Sequence, residues 1–310
     1  MRGVRLRDGG AALMEVSPPA GDGVVVKVAS AGICGSDLHL LAFPLTTTLG
    51  HEFAGWLPDG TPVAVEPIAP CGHCPMCLDG DYQRCAGGMA TMIGVGRDGG
   101  MAESCLVPAS AIVRLAAGVE PRDACVVEPL AVAVHAIRRG RITAADRVAV
   151  IGGGTIGLCA VAAARACGAH VDLVARHYHQ RAAGERLGAG TAASDGYDVV
   201  IDAAGTTEAF DQCVSMVRAR GRIVMVGTYW GGLQVPGVFV CLKEIDIIPS
   251  SAYGRSGPAR DIDIAATLLA ATPEIATTLI THRLPLDAAI EAFALAQDRS
   301  SGAIKVVLEP

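Results

Sequence analysis

The sequence predicts an α/β protein of two domains, one β-rich and one built on a doubly wound parallel sheet. Three observations carry that expectation. Residues 1–112 read as short β-branched segments between Gly, Pro and Asp turns, the pattern of a small irregular barrel. From residue 147 a buried strand, a glycine-rich turn and a helix follow one another, the opening of a parallel βαβ unit. A chain of 310 residues is long enough for two domains and too long for one of average size.

Composition narrows the class of function. With 51% hydrophobic residues, 38 Gly and 4% aromatics, the chain suits a compact fold with many strand-to-helix turns rather than a disordered or fibrous one. Its 25 Lys and Arg against 31 Asp and Glu give a net charge of −6, and without a basic run nucleic acid is not an expected partner. The N-terminal MRGVRLRDGG has charges but no apolar stretch behind them, so it does not read as a signal peptide. The longest uncharged apolar run, Val148 to Ala164, is interrupted by glycine and is shorter than a membrane span of about 20 residues. A cytoplasmic protein with no membrane contact is expected. Of eleven cysteines four are clustered, which in a reducing compartment points to metal and core roles instead of disulfides.

Taken in order, Val24 to Val28 is a β-branched strand, and Cys34 to Glu52 is the stretch densest in chemistry. That stretch holds Cys34, Ser36, Asp37, His39, His51 and Glu52, the groups used to hold a metal and move a proton. A thiolate and a neutral imidazole together suit Zn²⁺, although Cys is often core filling and a lone His often structural. Thr61 to Val65 reads as a second strand. Cys71, Cys74, Cys77 and Cys85 then place four thiols where a closed tetrahedral Cys₄ zinc site can form, a structural rather than catalytic arrangement. His73 lies inside the array but exceeds four ligands. Gly94 to Glu103 gives a turn into a strand ending near Val107.

From Pro121 the pattern turns helical, and Glu128 stands in its apolar face, where a carboxylate needs a cation or water. Arg147 to Ile151 forms a strand before Gly152, Gly153, Gly154, Thr155, Ile156 and Gly157, and a helix runs from Leu158 to Cys167. In that setting Gly152 allows the tight turn and Gly154 the approach of a pyrophosphate. Gly157 allows close packing of helix on strand, and the helix N-terminus attracts the phosphates. Val171 to Ala175 is the next strand. An NAD-binding chain would end it in Asp or Glu, but Arg176, His177 and Arg181 follow here. Asp172 lies at the start of the strand, about 13 Å short of a ribose at its carboxyl end. A guanidinium at Arg176, helped by Arg181 and His177, suits a 2′-phosphate, so NADP(H) is favoured over NAD(H). Strands before Gly205 and Gly227 end in small residues where backbone can approach a ring. Helices over 259–271 and 287–296 and a closing strand over 303–308 complete the reading, the tail returning to the first domain.

These features together resemble the zinc-dependent medium-chain alcohol and polyol dehydrogenases. The likeness rests on C-G-S-D-x-H at 34–39, G-H-E at 50–52, the cysteine array, E-P-L-A-V-A-V-H at 128–135, the glycine-rich turn and I-T-H-R-L-P-L at 280–286. It implies a GroES-like catalytic domain from residues 1–128 and 254–310 and a Rossmann domain from 129–253. It also implies a homodimer or homotetramer joined largely through the Rossmann sheets. By resemblance Cys34, His51, Glu52 and Glu128 surround a catalytic zinc, the two glutamates as in the sorbitol-dehydrogenase-like branch, with one of them bound directly and the other through water or by exchange. Ser36 would take the substrate proton, His39 would pass it to solvent, and Asp37 would orient the zinc histidine. The implied reaction is reversible hydride transfer between a secondary alcohol or polyol, or the matching carbonyl, and NADP(H), with two zincs per chain. An NADPH-dependent aldehyde or carbonyl reductase and a nucleotide-binding protein without catalysis are the alternatives. The chain is shorter than the family pattern between His39 and His51 and between Ala189 and Tyr197.

Overall fold

The computed structural model describes residues 1–192, 195–298 and 300–310. The chain divides into two compact units, one made of Met1–Glu128 with Gly254–Pro310 and the other of Pro129–Tyr253. The first begins with a hairpin, β1 (Arg2–Arg7) and β2 (Gly10–Glu15), then β3 (Val24–Gly32), α1 (Gly35–Leu40), β4 (Glu52–Trp56), β5 (Pro62–Val65), α2 (Pro75–Leu78), β6 (Ser104–Val107) and β7 (Ile112–Arg114). After α3 (Val127–Arg139) come β8 (Arg147–Ile151), α4 (Thr155–Ala166), β9 (His170–Val174), α5 (Tyr178–Arg186), β10 (Gly190–Thr191), β11 (Tyr197–Asp202), α6 (Thr207–Met216), β12 (Val217–Met225), α7 (Gly237–Lys243) and β13 (Asp246–Pro249). The chain closes with β14 (Arg255–Ser256), β15 (Ala259–Arg260), α8 (Asp261–Ala271), α9 (Glu274–Leu279), β16 (Ile280–Pro285), α10 (Ala289–Gln297) and β17 (Lys305–Glu309).

In the first unit the sheet order is β16-β17-β3-β4-β5-β7, with β6 paired to β3. The last strand pairs antiparallel with β3, Val307 opposite Gly32 and Leu308 opposite Ala31, so residues from both ends of the chain form one sheet. Alternation along β3 and β4 sends Val26, Val28 and Phe53 into a core shared with Val63, Met101 and Leu308. The apolar side chains fix the register, because a one-residue slip would turn them to solvent.

The second unit carries a six-stranded sheet in the order β10-β9-β8-β11-β12-β13, and each neighbouring pair is parallel. The order reverses between β8 and β11, the point outside the carboxyl ends of the strands where ligands bind in open α/β sheets. The strands are nearly continuous Val and Ile runs because both faces are covered. Ala149, Val200 and Ile223 meet Phe210 and Val214 of α6 in one of its cores.

Several boundaries differ from the sequence reading for local reasons. Helix α4 starts at Thr155 because Gly154, extended at its N-cap, already releases the chain from the turn. Ile280–Pro285 forms a strand, β16, held parallel to β17 despite its Pro and charges. Of the shortened connection before Tyr197, Ala193 and Ser194 lie outside the described residues. No described helix is long and apolar enough to cross a membrane.

Candidate active site

Cys34 is the N-cap of α1, and its backbone N–H donates to Asp37 Oδ2 at 2.9 Å. This closes the turn that carries Ser36 and Asp37. Asp37 is fully buried, and its Oδ1 stands 3.3 Å from His51 Nδ1. His51 follows Gly50, whose φ of +99° few residues adopt, and a Cβ there would lie 2.6 Å from the Met101 side chain and 2.7 Å from its backbone nitrogen. With Nδ1 turned to Asp37, Nε2 is left toward Ser36 Oγ at 3.4 Å. Glu52 opens β4, 1% exposed, and Gly32 on the paired strand makes room for it, since a Cβ there would lie 2.4 Å from Glu52 Oε2.

One potential ligand atom from each of Cys34, His51 and Glu52 falls within 4.8 Å of the others. Glu128 is buried in the first turn of α3 but is not one of this converging set. His39, at the end of α1, is exposed. The fit to a cation rests on electrostatics. Glu52 Oε1 is buried with no hydrogen-bond partner, while Oε2 accepts from Lys305 Nζ at 2.6 Å. Burial disfavours the imidazolium of His51, yet Asp37 and Cys34 outweigh it and hold its proton affinity well above the ordinary value. A buried pocket in which anionic groups draw so strongly on a proton is suited to a divalent metal. Soft S, borderline N and hard O together are a zinc donor set.

The second set is Cys71, Cys74, Cys77 and Cys85, whose sulfurs also lie within 4.8 Å of one another. Separations of 3.5 Å between Cys74 and Cys77 and 3.9 Å between Cys71 and Cys77 are far beyond a disulfide bond of about 2.05 Å. Backbone N–H groups point at the sulfurs, Cys71 N to Cys85 Sγ at 3.2 Å, Gly87 N to Cys85 Sγ at 3.3 Å and Cys74 N to Cys71 Sγ at 3.4 Å. Amides of Ala86 and Cys77 lower the Cys74 thiol to about 6, so thiolate is favoured. Burial and the neighbouring sulfurs push Cys77 up to about 12, so the four thiols ionise together only where a cation joins them. His73 bonds the Cys71 carbonyl and stays outside the set.

In the second unit the glycine-rich turn joins β8 to α4. Gly152 has φ +109°, a Cβ on Gly157 would lie 1.8 Å from the Gly152 carbonyl oxygen, and the space beside Gly154 is open to at least 4 Å. Thr155 and Ile156 are the first two residues of α4, at the helix end to which anions are drawn. Arg176 is exposed just past β9, and His177 is the N-cap of α5. Arg181 Nη1 donates to the carbonyls of Ala175 (3.0 Å) and Arg176 (2.9 Å), so part of its guanidinium braces the turn that presents Arg176. Asp172 is buried and accepts the Tyr197 hydroxyl at 2.7 Å, which occupies it inside the sheet. Gly205 has φ +67°, and a Cβ on Gly227 would lie 2.4 Å from Gly205 N.

Sequence reasoning missed Lys305, Gly32 and Asp202. A lone Lys in a closing strand carries no signal; only its pairing through β17 brings it to Glu52.

Comparison with known proteins defines the class first. Residues 20–117 match the family described as alcohol dehydrogenase GroES-like domain, and residues 155–270 match the one described as zinc-binding dehydrogenase. L-galactonate-5-dehydrogenase of Escherichia coli K12 is 32% identical over 310 residues, covering 90% of this chain and 89% of its own. Sorbitol dehydrogenase of Halalkalibacterium halodurans is 30% identical, covering 93% of this chain and 91% of its own. A protein from Sinorhizobium meliloti 1021 described as a zinc-binding dehydrogenase, crystallised bound to NADP, has a TM-score of 0.87 and 30% identity over 100% of this chain and 99% of that one. A GroES-like domain and a Rossmann-like parallel sheet in one chain define a two-domain dehydrogenase. Within that class the chain belongs to the zinc-dependent medium-chain dehydrogenase family of alcohol and polyol dehydrogenases. It is an oxidoreductase.

Proposed function

We propose that this enzyme transfers a hydride between a secondary alcohol or polyol, or the matching carbonyl compound, and NADP(H), with one catalytic and one structural zinc per chain. The observation that carries the reading is the convergence of half-buried Cys34 with buried His51 and Glu52, with Glu52 Oε1 unsatisfied and Ser36 beside the imidazole. Cys34, His51 and Glu52 hold the catalytic metal, and Glu128 reaches it through water or by exchange. Zinc there supplies Lewis-acid polarisation of a substrate oxygen. Asp37 keeps Nε2 of His51 turned inward, Ser36 Oγ accepts the substrate proton, and His39 at the exposed end of α1 passes it to solvent. Cys71, Cys74, Cys77 and Cys85 hold the structural zinc.

The turn at Gly152, Gly154, Thr155, Ile156 and Gly157 takes the pyrophosphate, and Gly205 and Gly227 let backbone lie against the rest of the cofactor. Arg176 grips the 2′-phosphate with His177 and Arg181 in support, and Asp172 does not compete because Tyr197 holds it. Names of the relatives point to polyhydroxylated substrates, a sugar acid for one and a sugar alcohol for another. The enzyme works in the cytoplasm, where its thiols stay reduced, as a homodimer or homotetramer.

Turnover of a panel of polyols and their ketones, followed by nicotinamide absorbance with both cofactors, tests the reading. Oxidation of secondary alcohols with NADP⁺ preferred is expected; zinc-loaded protein inert with both cofactors would sink it. Charge-assisted contacts to a phosphate contribute about 1.5–3 kcal/mol, so Arg176→Asp should weaken NADPH by roughly 10–100-fold and NADH far less. An equal loss of both would remove the NADP(H) assignment.

A further inference from the structure

The loops after β11 and β12 are tied to one buried carboxylate. Asp202, the last residue of β11, is fully buried. Its Oδ1 accepts from the backbone N–H of Ala204 at 2.9 Å and of Gly205 at 3.0 Å, and its Oδ2 accepts the hydroxyl of Tyr229. Its backbone carbonyl accepts from Val226 and Gly227, both at 2.9 Å. The same residue therefore holds both loops. They approach so closely that a Cβ on Gly227 would meet Gly205 N at 2.4 Å and Gly205 Cα at 2.6 Å.

The place of this latch in the sheet gives it a ligand. Asp202 is in register with Ile151, the residue before Gly152, and β11 is the strand beside β8 where the order reverses. A Cβ on Gly152 would lie 3.0 Å from Ala204 N, so the latched loop abuts the phosphate-binding turn. The adenine half of a dinucleotide lies on the β9 side, with Arg176; the other half must lie over β11 and β12. Burying a carboxylate is costly unless its lone pairs are met, and here the donors that meet it are two loop amides and a phenol, which fix the position of backbone. The phenol is itself aimed by packing, its ring edge-on to Phe210 at 6.4 Å and 75°. Burial and the neighbouring carboxylate raise the pKa of Tyr229, which keeps it a donor at neutral pH.

We propose that Tyr229, acting through Asp202, is a positioning residue for the nicotinamide half of the cofactor: the latch sets the spacing of the loops at Ala203–Gly205 and Gly227–Tyr229 between which that half is seated. The inference rests on the dinucleotide reading above. Tyr229→Phe removes the hydroxyl and keeps the ring against Phe210. Calorimetric titration of the zinc-loaded wild type and variant with NADPH, and with 2′,5′-ADP, which lacks the nicotinamide half, separates the cases. Losing a hydrogen bond to a charged group should weaken NADPH by about tenfold and leave 2′,5′-ADP within about twofold. Asp202→Asn, which keeps the shape of the acceptor, should shift the same ligand in the same direction. Equal weakening of both ligands would mean a general loosening of the unit and would overturn the proposal, as would unchanged binding of both. A wild type that binds neither of these ligands nor NADH would instead remove the dinucleotide reading, and this proposal with it.

Discussion

Glu52 divides its carboxylate: Oε2 accepts from Lys305, while Oε1 is buried without a hydrogen-bond partner in the residue that converges with Cys34 and His51. Lys305 is 2% exposed and also donates to the Ile33 carbonyl at 2.9 Å, so the ion pair is held by β17 and by the segment leading into Cys34. Breaking a buried pair by removing one partner costs about 3–5 kcal/mol, because the remaining charge is left uncompensated. Lys305→Met should therefore lower stability by about that amount in urea unfolding, and adding Glu52→Gln should restore part of it. A loss below about 1 kcal/mol would mean that solvent reaches the pair, as at a surface bridge. At this scale the sequence was legible where chemistry is local. Cys34, Asp37, His51 and Glu52 sit close together in the chain, and two of them are joined by a capping turn. Lys305 is 253 residues from Glu52 and gave no sign. Glu128 was read from its apolar surroundings, which report burial but not direction, and it is outside the converging set.

Among the elements, the cysteine lobe is anchored by a network that the sequence did not announce. Tyr82, between Cys77 and Cys85, donates to Glu66 Oε1 at 2.5 Å and to the Gly254 carbonyl at 3.2 Å, and Arg260 donates to Glu66 Oε2 at 2.9 Å. Burial outweighs the help of Tyr82 and Arg260 and holds the Glu66 carboxyl above its ordinary value of 4.5. The folded state then keeps that proton longer than the unfolded chain does. Stability must fall as pH rises from the unfolded value through the folded one, and it levels off above. Glu66→Gln should flatten that part of the profile in denaturation measured from pH 4 upward; an unchanged slope would place its cause elsewhere. Elements with a strong local code were readable, above all the strand, glycine turn and helix at 147–166. The hairpin β1–β2 was not, although its strands pair locally across Asp8-Gly9, because the three arginines of the half-buried first strand mask the apolar alternation that marks a strand. Nor was β16, whose Pro and charges argue against a strand that β17 nevertheless holds.

For the molecule as a whole, β13 is the terminal strand of the second unit's sheet among the described residues. β13 pairs with β12 on one side, and the preceding α7 exposes Val238 (70%), Phe239 (61%) and Leu242 (77%). An uncovered edge next to apolar side chains is suited to a second copy about a two-fold axis, since the edge is complementary to itself. Light scattering should report a dimer or a multiple of it, and Phe239→Asp should shift the population toward monomer. A monomeric wild type at micromolar concentration would remove this assembly. Two-domain organisation and family were legible because whole motifs lie in order along the chain, whereas assembly depends on what an exposed face meets.

In the proposed enzyme, Cys34, His51 and Glu52 hold a zinc distinct from the one in the cysteine lobe. Zinc per chain, measured by mass spectrometry on the purified native protein and on His51→Ala, tests it most directly. Two zincs in the native protein, and one in a variant that still binds NADPH but no longer transfers hydride, is the predicted result. One zinc in the native chain, or two retained in His51→Ala, would contradict it.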